Sequence, residues 1–162
     1  MSLFDTMRLS ATPAPTGFMK AVTVWQPHAT LIWLLLKEYE TRGWPTRYRG
    51  PIAIHAASRV MRRGDIIPDM EKALAPFISE NVLDFDAWPY GAILGIFDLV
   101  DCIKTEKVII SIRERVFGNY YPGRYAWKLK PIQVFDKPIP FKGAQGLWNL
   151  PLSVLQKKEI LQ

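Results

Sequence analysis

Hydrophobic and polar positions divide the chain into short segments of changing period. Lys20-Ala21-Val22-Thr23-Val24-Trp25 is strand-like, and ordered structure is expected to begin near Met19. From His28 to Lys37 apolar side chains occur almost all round, which predicts a helix buried on most sides, with Pro27 at its start. Tyr39 to Arg42 fits a short strand. Alternation then puts Glu40 and Arg42 on one face and Tyr39 and Thr41 on the other, with Lys37 able to reach the first face from the helix end. Trp44 to Gly50 reads as a loop and Pro51 to Ala56 as a buried strand with His55 at its end. Ser58 is expected to cap a short basic helix through Arg63, and Pro68 to Ser79 to form a second helix broken near Pro76. Asn81 to Tyr90 reads as a loop. Gly91 to Val100 is a strong central strand whose two glycines allow a bulge.

Lys107 to Phe117 has mixed periodicity that allows a helix, and a turn follows at 119–123. Arg124 to Leu129 alternates cleanly as a strand, and Ile132 to Phe135 is expected to form another. Pro138 and Pro140 suit an edge or irregular strand, and Ser153 begins a short closing helix. No internal repeat is present. Strands separated by helices of unequal length, with glycine kinks and no regular strand-helix alternation, predict an α+β fold built on a mixed β-barrel, closed or nearly closed, with flanking helices.

The length of 162 residues fits one domain over 19–162, preceded by a flexible arm over 1–18 marked by Pro13, Pro15 and Gly17. The longest apolar stretch, Ala29 to Leu36, falls well short of the roughly 20 residues a membrane span requires, so no membrane partner is expected. The N-terminus lacks the basic cluster and apolar core of a secretory signal. Cys102 is the only cysteine, which excludes an internal disulfide and a multi-cysteine zinc site; a cytoplasmic location is the default. A net charge of +6 favours polyanionic partners. Lys37, Arg42, Arg47, Arg49, Arg59, Arg62 and Arg63 make the first third basic, whereas the middle is acidic. A basic groove would produce that asymmetry, and so would a set of solvated arginines.

Lys37 beside Arg42 has the surroundings of a lysine with depressed pKa that acts as a base, although Glu40 opposes the shift and an ordinary ion-pair network is the simpler reading. Arg42, Arg47 and Arg49 can hold phosphate or a carboxylate by paired hydrogen bonds, and Trp25, Trp44 and Tyr48 can stack on bases. Gln26 offers a donor and an acceptor to a base edge or to the neighbouring backbone. His28 and His55 are the only histidines and no third ligand is spaced to complete a metal site, so neither a metal nor a cofactor is expected. His55 fits a proton shuttle, a base contact or a satisfied core histidine.

Three blocks together resemble the ASCH domain, a branch of the PUA-like superfamily. They are Gln26-Pro27 with its helix, the pattern of Lys37, Glu40 and Arg42, and Arg49-Gly50-Pro51-Ile52-Ala53-Ile54-His55. The strand ending in Asp98, the aromatic strand around Tyr125 and Trp127, and Lys142 to Trp148 also look like that family. The resemblance implies a PUA-like barrel with a cleft between the first helix and the sheet. It further implies RNA binding, or hydrolysis of acetylated cytidine or of RNA. In the deacetylating branch a Lys, a Thr and a Glu are the proposed catalytic set. Lys37 matches the lysine, Glu40 stands where the threonine is expected, and Glu106 and Glu114 are the candidates for the glutamate. The expected ligand is therefore RNA or a modified nucleoside, bound by Trp25, Gln26, Arg42, Arg47, Arg49, His55 and Tyr125. The alternatives are a hydrolase using Lys37 and Glu40, and a module that binds an acidic protein partner.

Overall fold

The computed structural model describes residues 16–79 and 87–156. Six strands occur in these segments: β1 (Phe18–Val24), β2 (Tyr39–Arg42), β3 (Gly50–Ala56), β4 (Ala92–Lys104), β5 (Tyr125–Pro140) and β6 (Leu147–Pro151). They hydrogen-bond in the order β2-β5-β4-β3-β1-β6. Only β1 and β3 run parallel; the other neighbours are antiparallel. The sheet is open, which corrects the barrel expectation. The four residues of β2 are all taken up by β5, β6 pairs with β1 alone, and no ladder joins these two edge strands. Register shifts in β3 and β4 bend the sheet without closing it.

Alternation along the strands loads both faces with apolar groups. Val22, Val24, Ile52, Ile54, Leu94, Phe97 and Trp127 form the main core with Ala29 and Ile32 of α1 (His28–Trp33). Ala21, Ala53, Ile93, Phe135 and Leu150 form a core on their own, against which Val154 and Leu155 of α4 (Leu152–Gln156) pack. A further cluster joins Leu31 of α1 to Met70 and Leu74 of α2 (Pro68–Ser79) and to Trp88 and Phe117; the last follows α3 (Ile112–Val116).

Several elements differ from their expected bounds. The first helix ends at Trp33 instead of reaching Lys37, because Leu35 turns to φ 59° and the amides of Leu36 and Lys37 both return to the Leu31 carbonyl. Instead of a helix from Ser58 there is a single 3-10 turn at Arg63–Asp65, where the Asp65 carboxylate takes the Arg62 amide and both arms of the Arg59 guanidinium. The second helix runs through Pro76 unbroken. Pro76 is exposed, so water can reach the carbonyl that loses its amide partner. The helix allowed over 107–117 is confined to α3, started by the Ser111 hydroxyl accepting from the Glu114 amide at 3.1 Å. The two strands expected after Arg124 are one, β5. Most of the expected N-terminal arm (1–15) and part of the 81–90 loop (81–86) lie outside the described residues.

At Gly95 in β4 the neighbouring strand is so close that a Cβ would lie 2.6 Å from the Gln133 carbonyl oxygen and 3.1 Å from Val134 Cα. Backbone cannot swing aside as a side chain can. Gly95→Ala is expected to cost about 1–3 kcal/mol, read as a lower urea midpoint. An unchanged midpoint would mean that β4 and β5 part freely there.

Candidate functional site

The chain turns sharply after α1, and that turn drives Lys37 beneath the helix instead of out into solvent. The lysine is 3% exposed. Its Nζ lies 3.0 Å from His28 Nδ1 and 3.8 Å from Glu40 Oε2. Glu40 Oε1 in turn lies 3.1 Å from Arg42 Nε, and the Arg42 guanidinium also donates to the Thr23 carbonyl. Glu40 and Arg42 thus share a face of β2, as strand alternation requires. Arg124, just before β5, donates to the carbonyls of Asn119 (3.0 Å) and Thr41 (3.1 Å), and the Asn119 amide donates to the Thr41 hydroxyl. These side chains, with Trp25 and Trp44, line a cavity of about 450 Å³. That volume lies within the ~300–1,000 Å³ typical of small-ligand sites.

Burial pushes the Lys37 pKa down, and Arg42 and Arg124 add to this; Glu40 and Glu114 oppose it. The Lys37 charge and then burial push His28 down to about 3, so the imidazole is neutral. Its Nδ1 also lies 3.0 Å from the Phe117 carbonyl. A proton on Nδ1 satisfies that carbonyl and leaves an uncharged Lys37 amine as a second acceptor. A bare Nδ1 instead accepts from the ammonium. The two arrangements are alternatives: the ammonium is the form that holds His28 neutral, and loss of its proton, which burial eases, gives Lys37 the capacity of a general base. Glu114 acts from behind this site. It is buried, takes the amides of Glu38 and Tyr39 at 3.0 Å each, and accepts from the Tyr120 hydroxyl, whose pKa is raised by burial and by the Glu114 charge. It anchors the start of β2 and borders a different cavity. Glu106 accepts from the Gly123 amide, away from the site.

The His28 shift carries a pH dependence with a definite sign. Its folded pKa lies below the ordinary 6.5, so between 6.5 and about 3 the unfolded chain holds a proton that the fold excludes. Stability is unaffected by this group above 6.5 and falls as pH drops below it, at a slope approaching ~1.4 kcal/mol per pH unit. Urea midpoints measured from about pH 8 to about pH 4.5 are expected to decline, and His28→Gln to flatten the decline. An equally steep decline in the variant would contradict the assignment.

Of the residues singled out from sequence, the cavity brings together Trp25, Lys37, Glu40 and Arg42. Gln26 lies outside it: the side chain is buried, with Nε2 donating to the Pro89 carbonyl (2.7 Å) and Oε1 accepting the Thr30 amide (2.9 Å). Arg47 is exposed on the β2–β3 connection. Arg49 donates to the Thr46 and Tyr48 carbonyls and lies 3.7 Å from Asp101. His55 is buried at the end of β3, with Nδ1 3.2 Å from the Thr23 hydroxyl and Nε2 2.6 Å from the Phe141 carbonyl. Tyr125 stands opposite Arg42 in the β2–β5 ladder and packs against the main core. The cavity adds Thr23, His28, Thr41, Trp44, Asn119 and Arg124. Among these, Trp44 also had a stacking role expected from sequence; its ring meets Trp127 edge-on at 4.8 Å. No signal in the sequence points to Asn119 or Arg124, because Arg124 comes to β2 only through the β2–β5 pairing beside it, and Asn119 only through its hydrogen bonds with Thr41 and Arg124. Among the described residues no group of three His, Cys, Asp or Glu side chains is arranged to hold a metal ion, and no helix is long and apolar enough to cross a membrane.

A family model described as the ASCH domain matches residues 22–139. Activating signal cointegrator 1 of Homo sapiens is 24% identical over 135 residues, which is 83% of this chain and 23% of that protein's length. The chain therefore spans less than a quarter of that relative. The crystal structure of a ZmASCH mutant protein from Zymomonas mobilis aligns with a TM-score of 0.48 at 17% identity, covering 88% of this chain and 97% of the other.

Proposed function

Since the chain belongs to the ASCH domain family, a PUA-like family generally associated with RNA binding, we propose that the cavity between α1, β2 and the end of β1 binds a base of RNA or a modified nucleoside. One observation carries this reading: the same cavity is lined by buried charged groups and by two accessible indoles, Trp25 at 59% and Trp44 at 36% exposure. Single-stranded RNA is recognised by aromatic stacking together with hydrogen bonds to base edges. Glu40 supplies an acceptor for a base amino group, and Arg42 supplies donors. Arg124, whose observed partners are carbonyls and no carboxylate, is available to a phosphate. The test is titration with single-stranded RNA and with nucleosides, acetylated cytidine among them, over a salt series. Binding of RNA is expected to weaken as salt rises, and Trp25→Ala and Arg124→Ala to weaken it further. Absence of any binding would overturn the proposal.

The burial of Lys37 beside a neutral histidine favours a second reading, hydrolysis at the same site. An uncharged Lys37 amine takes a proton from water as the water oxygen bonds to the acetyl carbon of acetylated cytidine. The carbon–nitrogen bond then breaks, the exocyclic amine leaves with a proton, and acetate is released. Arg42 and Arg124 are available to the developing oxyanion. Product analysis in the same titrations separates the two readings: free cytidine and acetate support hydrolysis, and unchanged ligand leaves binding alone.

A further inference from the structure

Thr23 and Trp25 line a second cavity, of about 520 Å³, on the far side of the end of β1. Its other walls include His55, Ser58, Arg59, Phe141, Lys142 and Gln145. Its chemistry differs from that of the first. No carboxylate lines it, whereas Glu40 lines the first. The His55 ring nitrogens are occupied by Thr23 and by the Phe141 carbonyl, so His55 acts as a fixed wall. Arg59 donates two 3.0 Å hydrogen bonds to the Asp65 carboxylate, and its guanidinium lies 4.6 Å over the Trp25 ring. A guanidinium paired with a carboxylate is thereby fixed against the indole that the two cavities share. Gly143 presses the 141–145 loop onto this boundary: a Cβ there would lie 2.5 Å from both His55 Cε1 and Thr23 Oγ1. Lys142 and Gln145 of the same loop stay exposed on the lining.

Two adjacent cavities of ligand size share one exposed indole, with a guanidinium held against it. Consecutive nucleotides present two rings joined by a negatively charged phosphate, and that is the complementary pattern. We infer that the second cavity holds the nucleotide next to the one bound in the first, so that the ligand is a single-stranded RNA of two or more residues straddling Trp25. The inference rests on the base-binding reading of the first cavity. Arg59, paired with Asp65, holds the Trp25 ring in place, the exposed Lys142 meets the linking phosphate, and Ser58 and Gln145 offer hydrogen bonds to the second base.

A length series tests it: nucleoside monophosphates, dinucleotides and tetranucleotides of each base, titrated into the protein and into a Lys142→Ala/Gln145→Ala variant. Both replaced side chains are exposed and lie outside the first cavity, so the fold and the first cavity are left intact. Dinucleotides are expected to bind at least about fivefold tighter than monophosphates, the low end for one stacked base. The variant is expected to lose that gain and keep its monophosphate affinity. Equal affinity for monophosphates and dinucleotides, a gain that survives in the variant, or a variant weakened equally toward both would overturn the second cavity's role and leave the first reading standing. If no member of the series binds, the base-binding reading falls and takes this inference with it; an acidic peptide then becomes the ligand class to try.

Discussion

Lys37→Met is expected to make the protein more stable and, where the site hydrolyses its ligand, to abolish turnover. The lysine is almost wholly withdrawn from water, its best carboxylate contact is 3.8 Å away, and that carboxylate is closer to Arg42. A buried cation so weakly paired costs more in desolvation than it regains, and apolar groups of similar volume in such positions often stabilise by about 1–4 kcal/mol. Methionine fills the space of the lysine stem, and Glu40 keeps Arg42 as its partner. The variant also removes the charge that depresses His28, so the acid-side loss of stability should shrink with it. Urea denaturation paired with RNA titration and product analysis reads all three effects. A variant less stable than the parent would make Lys37 a structural member of the fold and remove the central group of the proposed site.

Glu40→Ala should act in the opposite sense, lowering stability by about 3–5 kcal/mol, because it strips the shared carboxylate from two partly or fully buried cations. The loss should depend on Lys37. In the Lys37→Met background the same substitution leaves only Arg42 unpaired, and Arg42 is half-buried and already bonded to the Thr23 carbonyl. A double-mutant cycle is therefore expected to give a coupling of about 1–3 kcal/mol. A cost below about 1 kcal/mol for Glu40→Ala alone would mean that the three groups are hydrated as surface pairs are.

What could be read from the chain, and what could not, follows from how locally each feature is determined. The pairing of Glu40 with Arg42 was legible because strand alternation over four residues decides it, whereas the burial of Lys37 beside them depends on the reversal that ends α1. The end of α1 was not, since the apolar run continues through Leu36 and the reversal sits at Leu35, a residue with no turn preference. There the apolar side chains serve the cluster beneath α2 rather than a longer helix. β5 looked interrupted because of Pro131, Pro138 and Pro140. Beyond Leu129 its ladder partner is β4 alone, and a strand with one free edge can leave proline nitrogens unpaired. Gln26, Arg49 and His55 carry the right chemistry for a ligand, yet their hydrogen bonds go to the protein itself, and no spacing rule reveals that. Arg124 enters the cavity through pairing across more than eighty residues, information absent from any local pattern.

The placement of β1 bears on how the chain is made. It lies inside the sheet, yet its two neighbours come from very different places: β3 is about thirty residues downstream, with Lys20 opposite Ile52, whereas β6 brings Asn149 to the same Lys20 from about 130 residues downstream. During synthesis the β3 side can be filled early, but the other edge of β1 stays bare until β4 and β5 have also been made. A bare strand edge is a template for pairing with another chain. Ribosome stalling or proteolysis that removes β6 would convert an interior strand into a sticky margin, and the nascent sheet depends on β6 to seal it.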